Sequence, residues 1–378
     1  MKKPNIAPKI VTTPADFART VDTLLAQQVV AVDTESNSLF AYREQVCLIQ
    51  FSIKDKDYLV DPLALDDISA LGEVFANPNI EKIFHAAEYD LLVLKRDFNF
   101  SFENLFDTMV AARILGRKRV GLGSLLEDEF NVKLQKKYQR ANWGKRPLPP
   151  EMLKYATLDT HYLIKLRNLL HQELKSSGRW PLAEEDFRRL CQVNGTPPEP
   201  HGVDVWRISG VRDLTPQQVS ILYHVAAYRE DRAKAMNRPL FKVIGDKTLV
   251  AIAENSPETM EELGHLPGMT SGQVRRHGRG LLQAVWEGIQ APPTHRPKVQ
   301  HPDNGILILQ DALRNWRKFT ARKMGVESDV VLPRDVMEKI AHIQPESPKA
   351  LSDLMKDLPW RRDKFGSQIY SVIAENSP

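Results

Sequence analysis

The chain has 378 residues, 42% of them hydrophobic, and its 52 Lys and Arg stand against 48 Asp and Glu for a formal net charge of +4. This length and apolar content suit two or three packed domains and exclude a disordered tail. A pI near 8.8 permits a polyanionic partner without demanding one.

After a short strand-like KIV, the segment TTPADFARTVDTLLAQ offers Thr13 as an N-cap, Pro14 at the first helical position, and an apolar stripe through Phe17, Val21, Leu24 and Leu25. That predicted helix leads into VVAVDTES, Val29 to Ser36, which begins as a buried strand and ends in two acids. The β-rich runs VCLIQFSI and YLV, joined by the polar KDKD, read as a hairpin. Next come a helix over about 65–75, a short strand KIFHA, and a helix opening at Glu88 that carries Asp90, Leu91 and Leu94. Asp107 falls at the N-cap of a helix DTMVAARIL. A long helix from about Pro150 carries an apolar stripe of Met152, Tyr155, Tyr162, Leu163, Leu166 and Leu170. Strands first and helices after predict an α/β domain with a mixed sheet covered by helices, over 1–195.

The stretch NGTPPEPHG, 194–202, marks a linker by its Pro and Gly content. Beyond it strand signals vanish, and two small all-α helical domains are expected, over 210–291 and 303–378, divided by the proline-rich QAPPTHRPKVQHPDNG. They read as diverged copies of one module, because each opens with a helix of apolar and basic residues and closes with a basic-flanked helix. The literal match IAENSP, at Ile252 and Ile373, falls at different places in the two copies and is treated as chance. The two cysteines, Cys47 and Cys191, lack metal-ligand spacing and suit a reducing cytoplasm. The opening MKKPNIAPKIV has no apolar core, and no run reaches the length of a membrane span, so a soluble, cytoplasmic protein with no membrane contact is expected.

The chemistry starts from Asp33 and Glu35. Two apart on a strand, they leave the same face and repel unless a cation lies between them. Alone, such a pair reads more readily as a solvated strand end. Asp90 lies on the helical stripe that should pack against the sheet, where a carboxylate is costly unless paired or metal-bound. Asp159 interrupts the apolar stripe of the long helix, with Tyr155 four residues earlier on the same face. Each acid alone could be a cap or half of an ion pair; four converging on one sheet edge fit hard divalent cations bound through oxygen.

AVDTES with Asp33 and Glu35, FHAAEYD with Asp90, and YATLD with Tyr155 and Asp159 resemble the three motifs of the exonuclease family named for its four acids, in its tyrosine subtype. The histidine subtype would have histidine where Lys154 stands. LFDTMVAARILG, GLGSLLEDEF and QRANWGKRPLPPEMLKYATLDTHYL look like the ribonuclease D family in particular. The C-terminal modules are similar to the domain shared by helicases and ribonuclease D (HRDC), most clearly in YREDRAKAMNRPLFKVIGDKTLVAIA. Ala86 departs mildly from the wider family, where asparagine is frequent.

The resemblance implies a ribonuclease H-like fold and a 3′–5′ exoribonuclease that releases nucleoside 5′-monophosphates from RNA, such as tRNA precursors. It further implies two divalent ions, Mg²⁺ or Mn²⁺, with Asp33 bridging both, Glu35 and Asp159 completing one site, Asp90 supporting the other and Tyr155 orienting the water. His85, Leu39, Arg140, Trp143 and Arg146 are expected substrate contacts, each with a plainer alternative as core or solvated surface. Arg229, Arg232, Arg314 and Arg317 of the helical modules could grip the RNA body, and Trp316 could stack on a base. No obligate protein partner is evident. A DNA-directed exonuclease and a non-catalytic nucleic-acid-binding protein are the alternatives. The acids do not reveal the sugar, whereas the complete set of four acids and a tyrosine disfavours a degenerate site.

Overall fold

The computed structural model describes residues 7–193, 203–297 and 303–376. The chain divides into two compact units, one of residues 1–36, 46–195 and 301–378, the other of residues 37–45 and 196–300. The expected linker at 194–202 lies outside the described residues.

The first unit begins with β1 (Lys9–Val11) and α1 (Pro14–Leu25). Thr13 caps α1 by accepting from the Asp16 N–H at 3.2 Å, and Pro14 holds the first turn. Then follow β2 (Val29–Ser36), β3 (Val46–Ile53) and β4 (Lys56–Val60), with β3 and β4 forming the expected hairpin. The next helix, α2, is shorter than predicted and spans only Leu71–Ala76. The Asp67 carboxylate accepts from the Ser69 N–H at 2.8 Å and its hydroxyl at 3.0 Å, a local turn that competes with helix and delays its start.

The chain continues through β5 (Glu81–Phe84), α3 (Glu88–Phe98), β6 (Leu105–Asp107), α4 (Thr108–Ile114) and α5 (Leu122–Phe130). The predicted long helix is two: α6 (Pro150–His161) and α7 (Leu163–Ser176), broken at Tyr162, with α8 (Trp180–Cys191) after them. The break follows the sheet, since α6 lies over β3 and β4 while α7 turns onto β2, β5 and α4.

The mixed sheet has the order β1-β4-β3-β2-β5-β6. Alternate residues of β2 feed two cores. Val30 and Val32 join Phe51, Phe75, Leu91 and Leu94 beneath α1, α2 and α3. Ala31 joins Ile83, Phe106, Leu163 and Leu166 on the opposite face. Each of the two valines, fully buried, contributes on the order of 1.5–3 kcal/mol, which anchors the first half of β2 in the core.

The two helical blocks run through the same sequence of helices. The first holds α9 (Pro216–Ala235), α10 (Leu240–Val243), α11 (Asp246–Asn255), α12 (Met260–His265) and α13 (Ser271–Gln290). The second holds α14 (Asn304–Met324), α15 (Ser328–Val331), α16 (Arg334–Ile343), α17 (Pro348–Leu354) and α18 (Pro359–Asn376). Arg229 donates to the Ile244 carbonyl at 3.1 Å and, at the matching place, Arg317 donates to the Leu332 carbonyl at 2.9 Å. These two arginines therefore clamp the end of a short helix inside each copy. Trp316 likewise packs against Phe365, with ring centroids 5.8 Å apart.

The second block belongs to the same unit as the sheet. Arg361 of α18, fully buried, pairs with Glu185 at 2.5 Å and Asp186 at 2.7 Å of α8 and donates to the Val330 carbonyl at 2.8 Å. In the other unit, the Tyr42 hydroxyl donates to Glu230, the Tyr42 N–H donates to Asn237 at 3.1 Å, and Lys242 lies 3.8 Å from the Phe40 ring centroid.

Candidate active site

β2 pairs with β3 along most of its length, antiparallel from Ala31↔Ser52 to Ser36↔Val46, but with β5 only through Val29, Val30 and Ala31. β5 ends at Phe84, and the chain then turns through Ala86, whose φ of 62° is left-handed. Past Ala31 the second half of β2 is therefore left with strand pairing on one side only, and that half carries the acids.

Asp33 and Glu35 leave β2 on the face that α6 covers, and α6 brings Asp159 to them. One carboxylate oxygen from each of Asp33, Glu35 and Asp159 lies within 4.8 Å of the others. Thr34, between the two strand acids, leaves on the opposite face, where its hydroxyl donates to the carboxylate of Asp90 on α3. Asp90 is 6% exposed. The predicted four acids and tyrosine thus share one neighbourhood, three acids in a tight group and Asp90 reaching it around the free edge of β2.

Several members are held by further contacts. Beside Asp159, the Thr160 hydroxyl lies 2.7 Å from that of Ser52, the Ser52 hydroxyl donates to Asp57 at 2.6 Å, and His161 Nδ1 lies 2.9 Å from the other Asp57 oxygen. This network pins the end of α6 to the β3–β4 hairpin. Tyr155 hydrogen-bonds to Asp159, and its ring sits between Tyr138 and Trp143, with centroids 5.9 and 6.0 Å away. Asp107 caps α4, accepting from the N–H groups of Met109 at 2.7 Å and Val110 at 3.0 Å, as its N-cap position predicts. The same carboxylate accepts from the N–H groups of Ala86 at 3.2 Å and Ala87 at 2.7 Å, which fixes the turn that launches α3 and Asp90.

Burial, then the charges of Asp90, Asp159 and Glu35, pushes the Asp33 carboxyl well above the usual range. Glu35 is raised likewise by burial, then by Asp159 and Asp90. Burial pushes Asp90 and Asp159 up to about 7 each, against the opposing pull of the Thr34 and Tyr155 hydroxyls. Burial and then the carboxylates also push the Tyr155 phenol upward, so at neutral pH it carries its proton and can act as a hydrogen-bond donor but not as a base. An oxygen-only group of crowded acids, each of which resists ionisation, fits a hard divalent cation, because the cation supplies the positive charge the pocket lacks.

Among the expected substrate contacts, His85 has Nδ1 2.9 Å from the Thr108 hydroxyl, and burial lowers its pKa. Leu39 is 37% exposed and Arg140 is exposed. Trp143 and Arg146 require correction. Trp143 is 1% exposed in a cluster with Leu48, Leu59 and Met152 and offers no face to a base. Arg146 forks onto Asp61 at 2.5 and 2.7 Å and donates to the Cys47 and Trp143 carbonyls, both at 2.6 Å, so its donors are consumed within the fold. Together they brace the wall behind Tyr155. Thr34 and Asp57 are functional neighbours that motif reading passed over. Strand alternation places Thr34 opposite its neighbours and so could have found it.

Fold and site together define a carboxylate-type nuclease. The family model described as 3′-5′ exonuclease matches residues 8–175, and that of the HRDC domain matches residues 218–285 and 309–373. A Ribonuclease D of Jannaschia sp. is 30% identical over 97% of this chain and 95% of its own. The catalytic core of RRP6 from Trypanosoma brucei superposes with a TM-score of 0.68 at 28% identity, over 77% of this chain and 82% of that one. Escherichia coli RNase D shares the fold over 99% of this chain and 100% of its own, with a TM-score of 0.71 at 24% identity.

The chain belongs to the ribonuclease D family. It is a hydrolase, a 3′–5′ exoribonuclease. Among the described residues no helix is long and apolar enough to cross a membrane.

Proposed function

We propose that the chain shortens RNA from its 3′ end one nucleoside 5′-monophosphate at a time, with two divalent ions, Mg²⁺ or Mn²⁺, in the acid cluster. The approach of Asp33, Glu35 and Asp159 within 4.8 Å carries this reading. These three would hold one ion, and Asp33 with Asp90 the other. Bound there, the ions supply Lewis acidity at the scissile phosphate and lower the pKa of water. The protonated Tyr155 hydroxyl, fixed against Asp159, orients the attacking water in line with the departing oxygen. The Thr34 hydroxyl holds Asp90 in place.

His85 and Arg140, both in the unit that holds the acids, are the proposed contacts to the terminal nucleotides. Membership of the ribonuclease D family supports structured RNAs, tRNA precursors among them, as substrates, and a chain with only two cysteines suits the cytoplasm. The test is digestion of matched 3′-tailed RNA and DNA with Mg²⁺, with and without chelator, by the native chain and Asp33→Ala. The expected result is stepwise loss of RNA only, abolished by chelator and by the substitution. Equal digestion of DNA overturns the RNA assignment, and cleavage in chelator overturns the metal mechanism.

A further inference from the structure

β3 is apolar except for Gln50 and Ser52, and Gln50 is wholly buried. Neither its Oε1 nor its Nε2 has a hydrogen-bond partner among the described residues. A buried amide left unpaired costs about 1–3 kcal/mol relative to an apolar side chain of the same shape. Leucine would pack there without that cost.

The sheet register shows what the amide faces. Gln50 stands directly opposite Asp33 on β2, and cross-strand partners share a face of the sheet, with Cβ atoms roughly 4.5–5.5 Å apart. Its partner on the other side is Leu59, buried with Leu48, Trp143 and Ala156. Along the strand, its same-face neighbours are Leu48, which is apolar, and Ser52, whose hydroxyl is engaged by Asp57 and Thr160. Of these four strand neighbours, Asp33 alone offers a carboxylate to the amide, on the face that α6 covers with Tyr155 and Asp159.

Resting on the metal-dependent reading above, we infer that Gln50 is a positioning residue: its Nε2 donates to the Asp33 carboxylate when that group is charged, and fixes it in its ligating orientation. Carboxylates that ligate metals are themselves held by hydrogen bonds, and loss of such a partner costs about 10–100-fold in metal affinity. Its place beneath the site excludes contact with substrate, so the effect should appear in metal binding before any RNA is added.

The experiment titrates Mn²⁺ into the native full-length chain, Gln50→Leu and Gln50→Met by calorimetry, and measures the melting temperature of each metal-free protein. The expected result is metal-free stability equal to or above native in at least one variant, with Mn²⁺ affinity reduced about 10–100-fold in both. Native affinity in either folded variant overturns the inference, as does a loss of metal-free stability with affinity unchanged. A native chain that binds no Mn²⁺ overturns the metal reading and this inference together, an outcome distinct from equal binding by native and variant.

Discussion

The hydroxyl of Thr34 donates to the carboxylate of Asp90 across the edge of β2, so the residue between the two strand acids secures a third acid that arrives on a helix. Thr34→Val keeps the shape and removes the donor. Asp90, already pushed to about 7 by burial, then loses a contact that lowers its pKa and titrates higher. Stability should fall by about 1 kcal/mol. Activity at pH 7 should fall more than at pH 8.5, and a pH–rate profile with an acidic limb that stays in place would contradict this.

The acid cluster sets a pH dependence for the metal-free protein. Asp90 and Asp159 are raised to about 7, whereas in the unfolded chain carboxyls titrate near ~4. Between these values the folded state binds more protons than the unfolded state, so stability falls as pH rises through the window. The melting temperature in chelator should therefore decline from pH 5 to pH 8, and the decline should shrink in Asp159→Asn. Saturating Mn²⁺ should reverse it, because the ion binds only the ionised acids. Melting curves across pH with and without Mn²⁺ check the sign.

Asp159→Asn keeps the side-chain shape but removes one ligand charge. Lewis-acid stabilisation is worth several kcal/mol, so kcat should drop by on the order of 10³-fold or more. RNA binding in the presence of Ca²⁺, read by fluorescence anisotropy, should change little. A fall in both together would place Asp159 in substrate binding.

Ala86 holds a left-handed backbone, φ 62°, that most L-residues adopt at a cost of roughly 1–2 kcal/mol and asparagine tolerates better. Ala86→Asn should stabilise the chain by about 0.5–1 kcal/mol in denaturant unfolding. The departure noticed in FHAAEYD is thus a matter of backbone strain in the turn before α3 and not of ligation.

Arg361→Ala would leave Glu185, 1% exposed, without its cation. The expected loss is about 3–5 kcal/mol. Chemical denaturation checks it, and limited proteolysis should show earlier cleavage near α18.

The acids were legible in the sequence because strand and helix periodicity assign them to faces without knowledge of the fold. Asp107 was legible too, as a cap, although its second role at Ala86 and Ala87 depends on β5 and β6 lying side by side. Trp143 and Arg146 misled because a basic, aromatic run looks alike whether it meets solvent or folds back onto Asp61. The break at Tyr162 was hidden by an apolar stripe that runs on past Asp159 from one helix into the next, since α6 and α7 both need it for different parts of the sheet. Gln50 stood in plain view as a polar residue in VCLIQFSI, but only the register joins it to Asp33.

The burial of Arg361 has a practical outcome for anyone dissecting this enzyme. Cutting the chain before residue 303 removes α18 and strips Glu185 and Asp186 of their counter-charge. A truncated protein that fails to digest RNA would then report a weakened scaffold as readily as a lost hold on substrate. Point changes on the exposed face of the second helical block are the cleaner way to ask what it contributes.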